Sequence, residues 1–274
     1  MIPAAFEYRR ASSADEAVAL IAEAGDEAKF LAGGHSLLPL MKLRLAAPSV
    51  LIDVARIRDL SYIRDAGDHV AIGALTRHHD VEHSGLLAEV CPLLAHAAGH
   101  VGDPQVRHRG TIGGSIAHAD PASDLPATVL ALGGTLVARS ARGERTIAAS
   151  DFFTGFLESA LAPDELLTEV RVPKLAGAGW GFQKFNRRAQ DWAIVGVAAW
   201  KQNGSSGVAL VNMGSTPVFA AQVVSALQGG ASAAEAAELA AADAEPQGDL
   251  NASPEYRAHL AKVLTRRALE AAGA

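Results

Sequence analysis

The chain has 274 residues, of which 49% are apolar and only 5% aromatic, with a net charge of −6. That length supports a substantial core and roughly two domains. The acidic balance excludes general nucleic-acid or anionic-membrane binding. A single cysteine excludes an intrachain disulfide and any iron–sulfur or zinc site built from several cysteines.

In chain order, Met1 to Glu7 lacks the charged and long apolar regions of a signal peptide. No apolar run reaches the roughly 18 residues that span a bilayer, so a cytoplasmic protein without a transmembrane segment is expected. Ser13-Ala14-Asp15-Glu16 has capping-box spacing and predicts a helix that stops at Gly25. Lys29 to Ala32 reads as a short strand that delivers a Gly-Gly turn. Ser49–Val54 and His69–Leu75 are further strands by their aliphatic content. Val81 to Val101 reads as helical with a break at Cys91-Pro92, and Cys91 itself as a buried inert thiol. Ser123 to Leu132 predicts a helix, followed by paired strands 135–138 and 144–147 around an Ala141-Arg142-Gly143 turn. Asp151 to Leu161 reads as helical and Leu166 to Val172 as a strand ending at Pro173.

Lys174 to Gly179 marks a domain boundary. Beyond it come strands at Trp180–Asn186, Trp192–Lys201 and Val208–Met213, the last two joined by a hairpin at Asn203–Gly207. An alanine-rich helical stretch and a polar loop over 243–252 precede a final helix capped by Ser253-Pro254. Tyr256, Leu260, Val263, Leu264 and Ala268 share one face of that helix, which is expected to pack on a three-stranded antiparallel sheet.

Two segments stand out chemically: Ala32-Gly33-Gly34-His35-Ser36-Leu37-Leu38-Pro39 and Thr111-Ile112-Gly113-Gly114-Ser115-Ile116-Ala117-His118-Ala119-Asp120-Pro121. A Gly-Gly turn exposes backbone N–H groups and lets an anion approach with no Cβ in the way. Two such turns brought together could hold a diphosphate through main-chain donors, aided by Ser36, Thr111 and Ser115. Neither the G-x-G-x-x-G fingerprint nor the P-loop pattern occurs, so a dinucleotide would be bound outside the Rossmann arrangement. His96 and His100 have i, i+4 spacing but no glutamate beside the first, and His78, His79 and His83 read as a solvated cluster. No metal site and no catalytic acid or base is assigned. Asp120 reads as a turn cap.

The two glycine segments resemble the FAD-binding middle (medium) subunit of the molybdenum hydroxylases, the xanthine and aerobic carbon-monoxide dehydrogenase group. The likeness extends to Met41-Lys42-Leu43-Arg44, Leu51-Ile52-Asp53-Val54, Asp120 to Pro126, and Asp249 to Arg257. The version at His35 to Pro39 looks closest to the carbon-monoxide dehydrogenase branch. The resemblance implies an α+β fold: a PCMH-type FAD-binding domain over 1–176, made of two α/β subdomains at about 1–56 and 57–176, and a C-terminal flavoprotein domain over 177–274. It implies FAD between the subdomains, with Ala32, Gly33, Gly34, His35 and Ser36 in one loop and Thr111, Ile112, Gly113, Gly114 and Ser115 in the other. Ser115 stands where asparagine is usual in the family.

Carried over further, Asp124 matches a position that hydrogen-bonds the cofactor. Leu167 matches an apolar neighbour of it, Lys184 a polar one, and Trp192 an aromatic beside the isoalloxazine ring. The bland readings are a helix cap for Asp124, a solvated strand residue for Lys184 and core packing for Trp192. The resemblance also implies two partners, a large subunit with the molybdenum cofactor and a small subunit with [2Fe-2S] clusters, arranged as a dimer of heterotrimers. The expected function is electron transfer from those clusters through FAD to an external acceptor. A self-contained FAD oxidoreductase and a non-catalytic scaffold are the alternatives.

Overall fold

The computed structural model describes residues 2–274. The N-terminal part is a small parallel unit built from β1 (Glu7–Arg10), α1 (Ala14–Ala24), β2 (Ala28–Leu31), α2 (Leu37–Lys42) and β3 (Val50–Asp53), with sheet order β1-β3-β2. Ser13 Oγ accepts the Glu16 N–H at 3.1 Å as predicted, but the Glu16 carboxylate reaches back to the Ser12 amide. Val18, Ile21, Val50, Ile52 and Val54 form this unit's core.

The middle part continues with β4 (Ile63–Asp65) and β5 (His69–Gly73), and then a run of short helices. These are α3 (His78–Glu82), α4 (Gly85–Val90), α5 (Pro92–Gly99), α6 (Pro104–Arg107), α7 (Ile112–His118) and α8 (Asp124–Ala131). The stretch read as one broken helix is split twice, because Ser84 caps α4 through its hydroxyl and Pro92 starts α5. Cys91 is buried at that break, and desolvation pushes its thiol up to about 12, so it is inert as predicted. Strands β6 (Thr135–Ser140) and β7 (Gly143–Ala148) follow as a hairpin.

The predicted helix over 151–161 is absent. A one-turn α9 (Ala149–Phe152) gives way to a tight hairpin of β8 (Phe153–Gly155) and β9 (Glu158–Ser159). Phe153 is already extended, with φ of −94° and ψ of 105°, which stops the helix, and Leu157 at φ of 58° makes the hairpin turn. The long β10 (Leu166–Pro173) closes an antiparallel sheet of order β4-β5-β10-β6-β7.

The last part holds β11 (Gly179–Phe185), β12 (Val195–Gln202) and β13 (Ser205–Val211). To these three predicted strands a two-residue β14 (Val218–Phe219) adds a fourth at the edge. Asn203 and Gly204, both at positive φ, form a two-residue turn, shorter than the predicted connection. Helices α10 (Ala221–Gln228), α11 (Ala233–Ala237) and α12 (Pro254–Ala271) complete the chain.

Period-two alternation decides what this sheet touches. Val195, Val197, Ala199, Val208 and Leu210 face α12, while Phe182, Ala198, Ala209 and Val211 join the core of the middle part. Trp200 Nε1 also donates to the Ala131 carbonyl at the end of α8, at 2.7 Å. On α12 the buried face is Arg257, Leu260, Ala261, Leu264, Thr265, Ala268 and Leu269. Tyr256 is 44% exposed, and Arg257 takes the inward position because its guanidinium meets the Ile194 carbonyl and Asp249.

Helix α12 lies so close to β11 that a Cβ on Gly181 would sit 2.2 Å from the Ala268 carbonyl oxygen. Gly181→Ala is therefore expected to lower unfolding free energy by roughly 1–3 kcal/mol. Gly85→Ala, on a helix with nothing within 4 Å of the new methyl, is expected to raise it by about 0.5 kcal/mol. Denaturant titration of both variants against the parent checks the pair.

Candidate functional site

All three parts of the chain line one open cleft of about 520 Å³. Its walls come from the loop after β2, the residues before and within α7, the start of β10, the end of β11 and the loop before β12. Of the predicted site residues, Ala32, Gly33, Gly34, His35, Ser36, Thr111, Gly113, Gly114, Ser115, Asp124, Leu167, Lys184 and Trp192 all line it. Ile112 does not: its side chain is fully buried in the core.

The two glycine loops meet backbone to backbone. A Cβ on Gly33 would lie 2.5 Å from the Arg109 carbonyl oxygen and 2.9 Å from the Gly110 Cα. The Arg77 guanidinium donates to that same Arg109 carbonyl, fixing the peptide against which Gly33 rests. Gly34 has φ of 78°, a region glycine enters without penalty, and this turns the chain into α2.

The loops are not equivalent as donors. Among the described residues, no backbone acceptor engages the N–H groups of Gly33, Gly34, His35, Ser36 or Leu37. Ser36 precedes α2 yet its hydroxyl caps nothing. In the second loop the four amides of 112–115 are already used: Ile112 N–H bonds the Thr76 carbonyl, Gly113 N–H that of Ala74, Ser115 N–H that of Thr111, and Gly114 N–H the Thr111 hydroxyl. The expectation of free main-chain donors thus holds for residues 33–37 and fails for 112–115. Gly113 is needed for packing, since a Cβ there would come 2.4 Å from the Ala74 Cβ. What the second loop offers the cleft is its hydroxyls, Thr111 and Ser115.

The opposite end is set by a buried ion pair. Lys184 Nζ donates to Asp124 Oδ2 at 2.7 Å and to the His100 carbonyl at 2.9 Å, with both side chains 6% exposed. Burial pushes the Asp124 carboxyl up against the attraction of Lys184, and its Oδ1 has no partner in the chain. Neither bland reading survives: Asp124 is paired with Lys184, and Lys184 is not solvated. Trp192 is 57% exposed and precedes β12 at the cleft edge, so it is not core. Asp120 caps its turn through the Ala122 amide as expected.

Sequence reasoning missed His78, His118, Glu165 and Gln190, which also line the cleft. His78 had been assigned to a solvated cluster, but it starts α3 with its ring packed on Gly110 and is 4% exposed. The clue was its register: it follows strand β5 and the buried turn at Thr76, so it enters the core before the helix surfaces. Desolvation, reinforced by nearby His35, Arg107 and Arg77, lowers its pKa from 6.5 to about 4.

At neutral pH His78 is therefore uncharged, and the unfolded chain takes up a proton before the folded one does. Stability is expected to fall by up to ~3 kcal/mol as pH drops from 6.5 through about 4. His78→Gln, which cannot titrate, is expected to flatten that part of the stability–pH curve measured by denaturant unfolding.

Family comparison agrees with this geometry. A model described as the FAD binding domain in molybdopterin dehydrogenase matches residues 4–175, and one for the CO dehydrogenase flavoprotein C-terminal domain matches 180–272. The carbon monoxide dehydrogenase medium chain of Hydrogenophaga pseudoflava is 44% identical over 100% of this chain and 99% of its own. The 6-hydroxypseudooxynicotine dehydrogenase complex subunit alpha of Paenarthrobacter nicotinovorans is 37% identical over 98% and 95%. The solved carbon monoxide dehydrogenase from Hydrogenophaga pseudoflava that lacks the Mo-pyranopterin moiety of the molybdenum cofactor superposes with a TM-score of 0.96 at 43% identity, covering 100% of this chain and 99% of that one. With both family models and these full-length relatives, the chain belongs to the FAD-binding medium subunits of the molybdopterin dehydrogenases, and is an oxidoreductase component.

Proposed function

We propose that this chain is the electron-transfer subunit of a molybdenum hydroxylase complex. It would take electrons from iron–sulfur clusters of a small partner and deliver them to an external acceptor, with substrate oxidised at a molybdenum cofactor in a large partner. The observation that carries the reading is the run of free amides at residues 33–37, facing a cleft that ends at the Asp124–Lys184 pair. Such a donor run fits a diphosphate, and the unpartnered Asp124 Oδ1 fits a hydrogen-bond donor of the same ligand. Bound FAD supplies the redox chemistry, accepting electrons singly and storing two.

The chain's own residues bind and orient. Amides 33–37 and the Ser36, Thr111 and Ser115 hydroxyls would hold the diphosphate, while Leu167 would give an apolar contact to the cofactor and Trp192 an aromatic one beside its ring. Lys184 fixes the Asp124 carboxylate in place and balances its charge, so the pair sets the local field. No side chain need move a proton. Relatives named for chemically different substrates share this plan, which supports substrate choice lying in a partner chain. Among the described residues no helix is long and apolar enough to cross a membrane. We assign the complex to the cytoplasm as a dimer of heterotrimers. We divide the chain into 1–176 and 177–274 at the irregular segment between β10 and β11.

The reading has a direct test. In the complex with its partner chains, anaerobic substrate is expected to bleach the flavin, and the isolated holo chain is expected to stay oxidised with the same substrate. Bleaching of the isolated chain would instead identify a self-contained oxidoreductase. Gly33→Val, which would force its side chain into the Arg109 peptide, is expected to lose at least tenfold of the flavin content per chain while far-ultraviolet circular dichroism is retained.

A further inference from the structure

Away from the cleft, three imidazoles converge on the outer face of the middle part. His79 and His83 lie one turn apart, on and at the end of α3, which puts them on one side of the helix. His108 arrives from the end of α6. The His79 ring centroid is 4.3 Å from that of His83 and 4.1 Å from that of His108. Potential ligand atoms of His79, Glu82 and His83 all lie within 4.8 Å of one another.

The tautomers suit coordination. His83 Nδ1 bonds the His79 carbonyl oxygen at 2.9 Å, so that nitrogen is the donor and Nε2 keeps its lone pair. Histidine rings that hydrogen-bond within the described chain are those of His35, His69, His83 and His100, which leaves the His79 and His108 rings free to ligate. Glu82 supplies negative charge beside them and already neutralises Arg107 through a 2.7 Å ion pair. Imidazole nitrogens with one carboxylate match the borderline divalent transition ions, and no thiolate is present to favour softer ones.

We propose that His79, Glu82 and His83 form a binding site for a divalent cation of the zinc, nickel and copper class, with His108, whose ring lies against that of His79, swinging in as a fourth ligand. The site ties α3 to the turn that carries His108. His78 on one side and Val106 and Gly110 on the other belong to the cleft wall, so the cation braces that wall from outside. Binding to the folded chain alone raises its stability by mass action. His79 and His83 belong to the group that sequence reading took as solvated, and His108 stands 25 residues beyond His83.

Calorimetric titration of the chelator-treated full-length chain with zinc is expected to show one saturable site per chain and a rise in melting temperature. His83→Ala and His108→Ala are each expected to weaken it about tenfold or more. His259→Ala, an exposed histidine on α12, should leave it unchanged. Copper(II) bound to the unaltered chain is expected to show electron paramagnetic resonance couplings from more than one nitrogen, a readout that needs no variant. Zinc binding unchanged in both histidine variants, no saturable binding, or a copper spectrum without nitrogen couplings would each overturn the site.

Discussion

The cleft depends on an approach between two backbones that no side chain could permit. Gly33 rests against the Arg109–Gly110 peptide at a distance where a methyl group would overlap a carbonyl oxygen, and Arg77 holds that carbonyl from its other side. Gly113 packs on Ala74 just as tightly, seating α7 on the end of β5. The first contact brings the parallel unit against the middle part, the second fixes α7 within that part, and the cleft lies where they meet. They also give the loops different work. The first is an open turn with free donors; the second is a closed one whose amides are spent on holding itself against the strand.

The C-terminal sheet supplies the remaining wall by strand alternation. Residues of one parity face α12, and those of the other, Phe182 and Lys184 among them, face α5 and α8. Lys184 then meets Asp124 at the first turn of α8. Such a pair is costly to desolvate and costly to break, since removing one partner strands the other charge in a medium of low polarity. Its position, shared by two parts of the chain, makes the ion pair a register lock between them as well as the floor of the cleft.

Much of this was legible in the sequence. Ser13, Ser253-Pro254 and Asn203-Gly204 mark their elements by local chemistry that tertiary contacts have no reason to override. The site residues were legible as types and as places: all the predicted ones but Ile112 reach the cleft. What was hidden is what depends on partners distant in sequence. The amides of Ile112 and Gly113 bond Thr76 and Ala74, 36 and 39 residues back. The burial of His78 depends on Gly110, and that of Arg257 on Ile194 and Asp249. The segment read as helical over 151–161 instead turns back as a hairpin at 153–159, and its Phe156 is 64% exposed rather than part of a buried helix face.

Amide hydrogen exchange, followed by mass spectrometry on the chain with and without FAD, tests the division of labour between the loops most directly. Amides 33–37 are expected to exchange quickly without the cofactor and to become strongly protected with it. Amides 112–115 are expected to be protected in both states. Fast exchange at 112–115 without FAD, slowed on binding, together with no change at 33–37, would contradict the account.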